Sequence, residues 1–154
     1  MISTLKQGDK APSFRANDQN GAPVSLKDFK GRKLALFFYP KDDTPTCTKE
    51  ACSLRDEYPA LRLAGIEVLG VSIDSEKMHR KFQAKYQLPF SLIADSDKKI
   101  VSDYGVWGLK KFMGREFEGV HRVTFLIGLD GRIDHIISQV NSKDHAEQIL
   151  QLWK

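Results

Sequence analysis

The sequence predicts a mixed α/β fold, a central mixed sheet flanked by helices on both faces and preceded by an N-terminal hairpin. Three observations predict it. Apolar runs of strand length at 33–39, 66–73 and 123–127 alternate with segments whose apolar residues recur every three to four positions. An Asp130-Gly131 pair between two further strand-like runs signals an antiparallel hairpin within the same sheet. The 154 residues, 41% hydrophobic and 29% charged, are enough to bury a core within one domain, 1–154.

Extended segments near 13–16 and 24–26 flank the Asn20-Gly21 turn and form the N-terminal hairpin. The run 33–39 is almost wholly apolar, as a strand buried on both faces requires. Thr44 is a good helix N-cap, and Pro45 falls at the first helical position, where its missing N–H costs nothing. Ala51, Leu54, Tyr58 and Leu61 carry that helix to Gly65, which ends it. A buried strand at 66–73 leads to Ser75, an N-cap for a helix through about 86. A short strand at 89–93 and a helix from about 97 to 104 follow. Strands 123–127 and 133–137 pair across Asp130-Gly131, and Ser142 opens a last helix that turns Ala146, Ile149, Leu150 and Trp153 inward. No repeat, low-complexity segment or linker divides the chain.

Both cysteines lie between Pro40 and Cys52. Cys47 is the third residue of the helix that Pro45 begins, where unpaired N–H groups and the positive end of the helix dipole favour a thiolate. A free thiol is only about 3% ionised at pH 7, so such a site changes its reactivity. A buried structural cysteine is the commoner state of a free thiol, but a helix N-terminus argues against that reading here. The hydroxyl of Thr44, one turn earlier, can accept from a backbone N–H while donating toward the thiolate or a bound oxygen. The strand carrying 33–39 delivers Cys47 to the carboxyl edge of the sheet, where ligands bind in open α/β folds.

These residues resemble a known family. Pro40, Thr44 and Cys47 match the Pro-x-x-x-Thr-x-x-Cys signature of the peroxiredoxins, and a cysteine five residues on, Cys52, resembles their Q-type or bacterioferritin-comigratory branch. The likeness extends over most of the chain in order, through Gly8-Asp-Lys-Ala-Pro-Ser-Phe14, Tyr104-Gly-Val-Trp107 and the stretch from Gly119 to Ile127. The resemblance implies a thioredoxin-like fold and a thiol-dependent peroxidase that reduces hydrogen peroxide and organic hydroperoxides. It implies Cys47 as peroxidatic nucleophile, Cys52 as resolving thiol in a Cys47–Cys52 disulfide, and thioredoxin or a similar dithiol as reductant. Arg122 opens the pattern Arg122-Val-Thr-Phe125 and is expected to hold the thiolate and polarise the O–O bond. Alone it would read as a surface ion-pair residue. Pro40 is expected to shield the pocket, or simply to end its strand, and Glu50 and Arg55 match positions that support the site. Thr46, Val123 and Gly128 depart from the pattern, where glycine, serine or threonine, and aspartate are common.

Several classes are excluded as expectations. The net charge of +4 is thin and interrupted: Asp95, Asp97, Asp103 and Glu116 break up the basic residues Lys98, Lys99, Lys110, Lys111 and Arg115, so no nucleic-acid stripe forms. No apolar run approaches the ~20 residues of a membrane span, and the N-terminus lacks the core of a signal peptide, so a reducing cytoplasm and a transient disulfide are expected. The four histidines, 79, 121, 135 and 145, show no zinc-type pairing and read as surface residues; no metal or cofactor is expected. A Cys-x-x-Cys reductase is excluded by spacing. A monomer is expected, since no apolar stripe demands a partner. Two rivals stay open, a thiol–disulfide oxidoreductase acting on proteins and a redox sensor or chaperone.

Overall fold

The computed structural model describes residues 3–153. β1 (Arg15–Asn17) and β2 (Pro23–Ser25) form the expected antiparallel hairpin, its turn tied by Asp18, whose Oδ1 accepts from the N–H groups of Asn20 and Ala22. β3 (Lys33–Phe38) leads through a six-residue loop into α1 (Pro45–Asp56), followed by α2 (Tyr58–Leu63), β4 (Ile66–Ser72), α3 (Glu76–Tyr86), β5 (Ser91–Ala94) and α4 (Lys99–Asp103). β6 (Trp107–Phe112), β7 (Arg115–Val120), β8 (Val123–Ile127), β9 (Ile133–Ile137) and α5 (His145–Leu152) complete the chain.

The central sheet has the order β5-β4-β3-β8-β9, with β3, β4 and β5 parallel, β8 antiparallel to β3, and β9 antiparallel to β8. This is the mixed α/β sheet the sequence predicts. β3 lies in the middle with five consecutive buried residues, which is why it lacks polar alternation. Ala35, Phe37 and Tyr39 turn to one face and pack with Ala51 and Leu54 of α1, Phe82 of α3 and Ile149 of α5. Leu34, Leu36 and Phe38 turn to the other and pack with Ile100 and Val101 of α4, Tyr104 and Phe125. Gly70 of β4 is required by close approach, because a Cβ there would lie 2.9 Å from the Phe37 ring. The strand that presents the cysteine loop is therefore locked from both sides.

Two expectations are corrected and one element is added. The helix from Thr44 does not run unbroken to Gly65: Pro59 has no N–H to offer the Arg55 carbonyl, and the chain breaks at Glu57 into α1 and α2. The last helix begins at His145, since Ser142–Asp144 form a 3-10 turn. The hairpin of β6 and β7, joined by Met113-Gly114, was not foreseen; its residues are mostly exposed on both faces and carry no alternation. The departure at Gly128 has a local reason as well. A Cβ there would lie 2.5 Å from Asp134 Oδ2, the oxygen that accepts from Trp153 Nε1 and holds the end of α5.

Candidate active site

Cys47 sits where the sequence places it, at the third position of α1, with Thr44 as the extended N-cap residue and Pro45 first in the helix. It is 1% exposed. The guanidinium of Arg122, from the residue before β8, donates Nη2–H to Cys47 Sγ at 3.2 Å and Nη1–H to Glu50 Oε1 at 2.6 Å. Cys47 and Glu50 are one helical turn apart on α1, so one planar fork spans both. Burial opposes the charge on Arg122, yet Glu50 and Cys47 outweigh it and raise its pKa. Pro40 is partly buried at the end of β3.

Thr44 departs from its expected bonding. Its hydroxyl donates to the carbonyl of Lys41 at 2.9 Å and makes no side-chain cap, so its proton is spent within the loop and its lone pairs remain to accept. Cys52 is partly buried on the same unbroken helix, both thiols are free, and burial raises the Cys52 pKa while Arg55 opposes the shift. Arg55 is engaged elsewhere: it donates to the Tyr86 carbonyl at 2.9 Å and pairs with Asp56, fastening α1 to the end of α3.

Two buried networks lie behind these residues, and in the chain they show only as isolated polar residues. The reading of the histidines as surface groups is wrong for two of them, since His79 and His145 are both fully buried. His145 Nδ1–H donates to Gln148 Oε1 at 2.9 Å, an oxygen identified by its acceptance of the Asn141 N–H. His145 Nε2 is left as the acceptor, 2.7 Å from Thr124 Oγ1 and 3.4 Å from Glu50 Oε2. Burial, with Arg122 adding and Gln148 opposing, lowers the His145 pKa to about 4. Glu50 Oε2 has no hydrogen-bond donor. Burial raises the Glu50 pKa to about 7 against the pull of Arg122. With Nε2 unprotonated the Thr124 hydroxyl is the donor to it, so His145 offers Glu50 Oε2 no N–H and a bare carboxylate oxygen there is left without a donor.

The second network pins the loop before Cys47. Asp42 accepts from Tyr39 Oη at 2.6 Å and lies 2.6 Å from His79 Nδ1, whose Nε2–H donates to the Ile93 carbonyl. The Asp42 N–H donates to Asp74 Oδ2, which also accepts from Ser72 Oγ. Asp42, Asp74 and His79 are close enough to ligate a metal, but each is already bonded within the network, to one another or to Tyr39, Ser72 and the Ile93 carbonyl. They act as a truss that fixes the loop between β3 and α1.

Glu50 gives the site a pH dependence. Unwinding the start of α1 would return it to water and its ordinary value of 4.5. Between pH 4.5 and 7 the folded site binds more proton than the unwound one, so its advantage is full below that window and lost as pH rises through 7. The loss is at most roughly 3 kcal/mol. Urea unfolding of the reduced protein at pH 5 and pH 8 should show a larger drop for wild type than for Glu50→Gln. Parallel drops would remove Glu50 as the titrating group.

Residues 7–136 match the model of the AhpC/TSA family. Peroxiredoxin Bcp of Escherichia coli K12 is 42% identical over 153 residues, covering 99% of this chain and 98% of that protein. Peroxiredoxin Bcp of Bacillus subtilis 168 is 42% identical over 151 residues, covering 98% and 96%. Among solved structures, a cysteine-to-serine mutant of Xylella fastidiosa PrxQ superposes with a TM-score of 0.90 at 33% identity, covering 97% of this chain and 95% of that one.

Proposed function

The chain belongs to the AhpC/TSA family, within its Bcp and PrxQ peroxiredoxins, and is a thiol-dependent peroxidase; on that premise we propose how its own residues carry the reaction. The Cys47 thiolate attacks the terminal oxygen of hydrogen peroxide or an organic hydroperoxide. The S–O bond forms as the O–O bond breaks, leaving a sulfenic acid and an alkoxide or hydroxide that takes a proton and departs. The fork of Arg122, already 3.2 Å from Sγ, supports this reading above every other observation, since it can follow charge from sulfur to the separating oxygens. Thr44 offers its lone pairs to the peroxide O–H, and Pro40 covers the approach.

Cys52 then attacks the Cys47 sulfur. The S–S bond forms, the S–O bond breaks and hydroxide leaves as water. On an intact helix, residues five apart have Cα atoms about 8.7 Å apart, beyond the ~7 Å a disulfide tolerates. The helix from about 46 to 54 must therefore unwind before the sulfurs meet, helped by Thr46 and Thr48, weak helix formers. Thioredoxin or a similar dithiol reopens the disulfide, a cycle suited to the cytoplasm, where such donors stay reduced. Every residue of the cycle comes from one chain, so a monomer suffices.

Peroxide loss coupled to thioredoxin, its reductase and NADPH tests this. Wild type should turn over continuously, whereas Cys52→Ser should consume about one equivalent of peroxide and stall as the sulfenic acid or a higher oxide. Full steady-state activity of that variant would take Cys52 out of the resolving role.

A further inference from the structure

Eight large apolar side chains stand well exposed among the described residues, and four of them, Leu109, Phe112, Met113 and Phe117, belong to the β6–β7 hairpin. That hairpin pairs only with itself. Its register puts Lys110 opposite Phe117 and Phe112 opposite Arg115, so these four side chains share one face. The other face holds the hairpin's acids, and both are already engaged: Glu118 accepts from Trp107 Nε1, and Glu116 pairs with Lys111. The first face thus carries two aromatic rings and two cations, with no acid.

This face runs out from the strand end that leads to Arg122, the residue bonded to the thiol. Lys110 donates to the Val120 carbonyl, two residues before Arg122. It is near enough for Arg122 to lower its pKa and for Cys47 to oppose that shift, although burial is the larger cause. Phe112 lies one strand repeat further out, about 7 Å from Lys110 along β6. Exposed charges beside Cys47 in the chain are also basic, Lys41 and Lys49, while Asp43 is tied to Lys85 and Tyr86.

The turn adds an independent observation. Met113 has φ +53 in the two-residue turn with Gly114 at φ +78, a left-handed conformation that Asn or Gly adopts at less cost. Met113 is 85% exposed, so packing gives no return for that strain. An apolar tip kept at a conformational cost, on a basic face that runs out from the strand end leading to Arg122, fits a protein partner. A small peroxide needs none of it.

We propose that this face of the hairpin docks the dithiol protein that reduces the Cys47–Cys52 disulfide, a partner whose reactive cysteine lies in an apolar surface rimmed by acidic side chains. The proposal rests on the reductant named under the proposed function. In the step it serves, a partner thiolate attacks the disulfide and forms a mixed disulfide. The partner's second thiol then displaces this chain, so the partner is oxidised to its own disulfide, and two protons pass to Cys47 and Cys52. A patch this small suits a transient encounter, and its cations speed association while apolar contact at Phe112 and Met113 holds it.

Two variants test it, Phe112→Thr with Met113→Asn, which suits strand and turn, and Arg115→Glu. Each is assayed with thioredoxin, with dithiothreitol, and by stopped-flow with hydrogen peroxide, after thermal melts show the fold retained. The KM for thioredoxin should rise tenfold or more in both. Rates with dithiothreitol and peroxide should stay within twofold of wild type, and added salt should weaken thioredoxin binding to wild type more than to Arg115→Glu. An unchanged KM for thioredoxin in both variants overturns the proposal. So does a wild-type dimer that the double variant dissolves while its KM stays put, which assigns the face to a second copy. A wild type that cycles with dithiothreitol but not thioredoxin fails at the reductant itself and removes the proposal with it.

Discussion

Cys47→Ser is expected to abolish peroxide turnover while leaving the fold in place. A serine hydroxyl is not ionised at neutral pH, and its oxygen cannot accept a peroxide oxygen to form a sulfenic acid. Cys47 is buried under Arg122, but the substitution removes little volume and leaves a polar atom for Nη2–H to meet. The loss should therefore appear in the chemistry alone. Stopped-flow mixing with peroxide should give no oxidation phase, and melting should stay close to wild type. Turnover within tenfold of wild type would place the nucleophile elsewhere.

Arg122→Ala is expected to slow the peroxide step by roughly 10²–10³-fold, the scale on which an enzyme loses one preorganised donor to developing charge. Two losses combine, no donor held to the reacting sulfur and no cation to follow charge onto the departing oxygen. The fold has a way to tolerate the change, because Glu50 can stay neutral once its cation is gone, its carboxyl already being raised to about 7 by burial. Arg122→Lys should recover only part of the rate, since one ammonium cannot span Glu50 Oε1 and Cys47 Sγ as the fork does. Second-order rate constants within twofold of wild type for Arg122→Ala would contradict the role given to it.

What could be read in the chain was what lies close together in it. The run 33–39, the Thr44-Pro45 helix start, Ser75 and Asp130-Gly131 are local signals, and each marks an element at or near its place. Arg122 was reached only through the motif around it, because nothing local says that a residue 75 positions from Cys47 will donate to its sulfur. The same separation hid His145, Thr124 and Gln148 behind Glu50, and His79 and Asp74 behind Asp42. Those side chains meet only after β3, β4, β8, α3 and α5 have packed. Pro59 is a local signal too, a proline that cannot bond the Arg55 carbonyl and so ends α1. The β6–β7 hairpin was less legible: its faces do not alternate, and Met113-Gly114 is a weaker turn signal than Asn-Gly.

In the proposed cycle one helix serves two states, closed around Cys47 and opened to let Cys52 reach it. Hydrogen exchange read by mass spectrometry on the reduced and the peroxide-treated protein tests it most directly, with intact mass about 2 Da lower marking the disulfide. Amides of 48–54 should be protected in the reduced protein and exchange at least tenfold faster once the disulfide has formed, while β3 and β8 keep their protection. Equal protection of 48–54 in both states, with the Cys47–Cys52 bond verified by mass, would contradict the account.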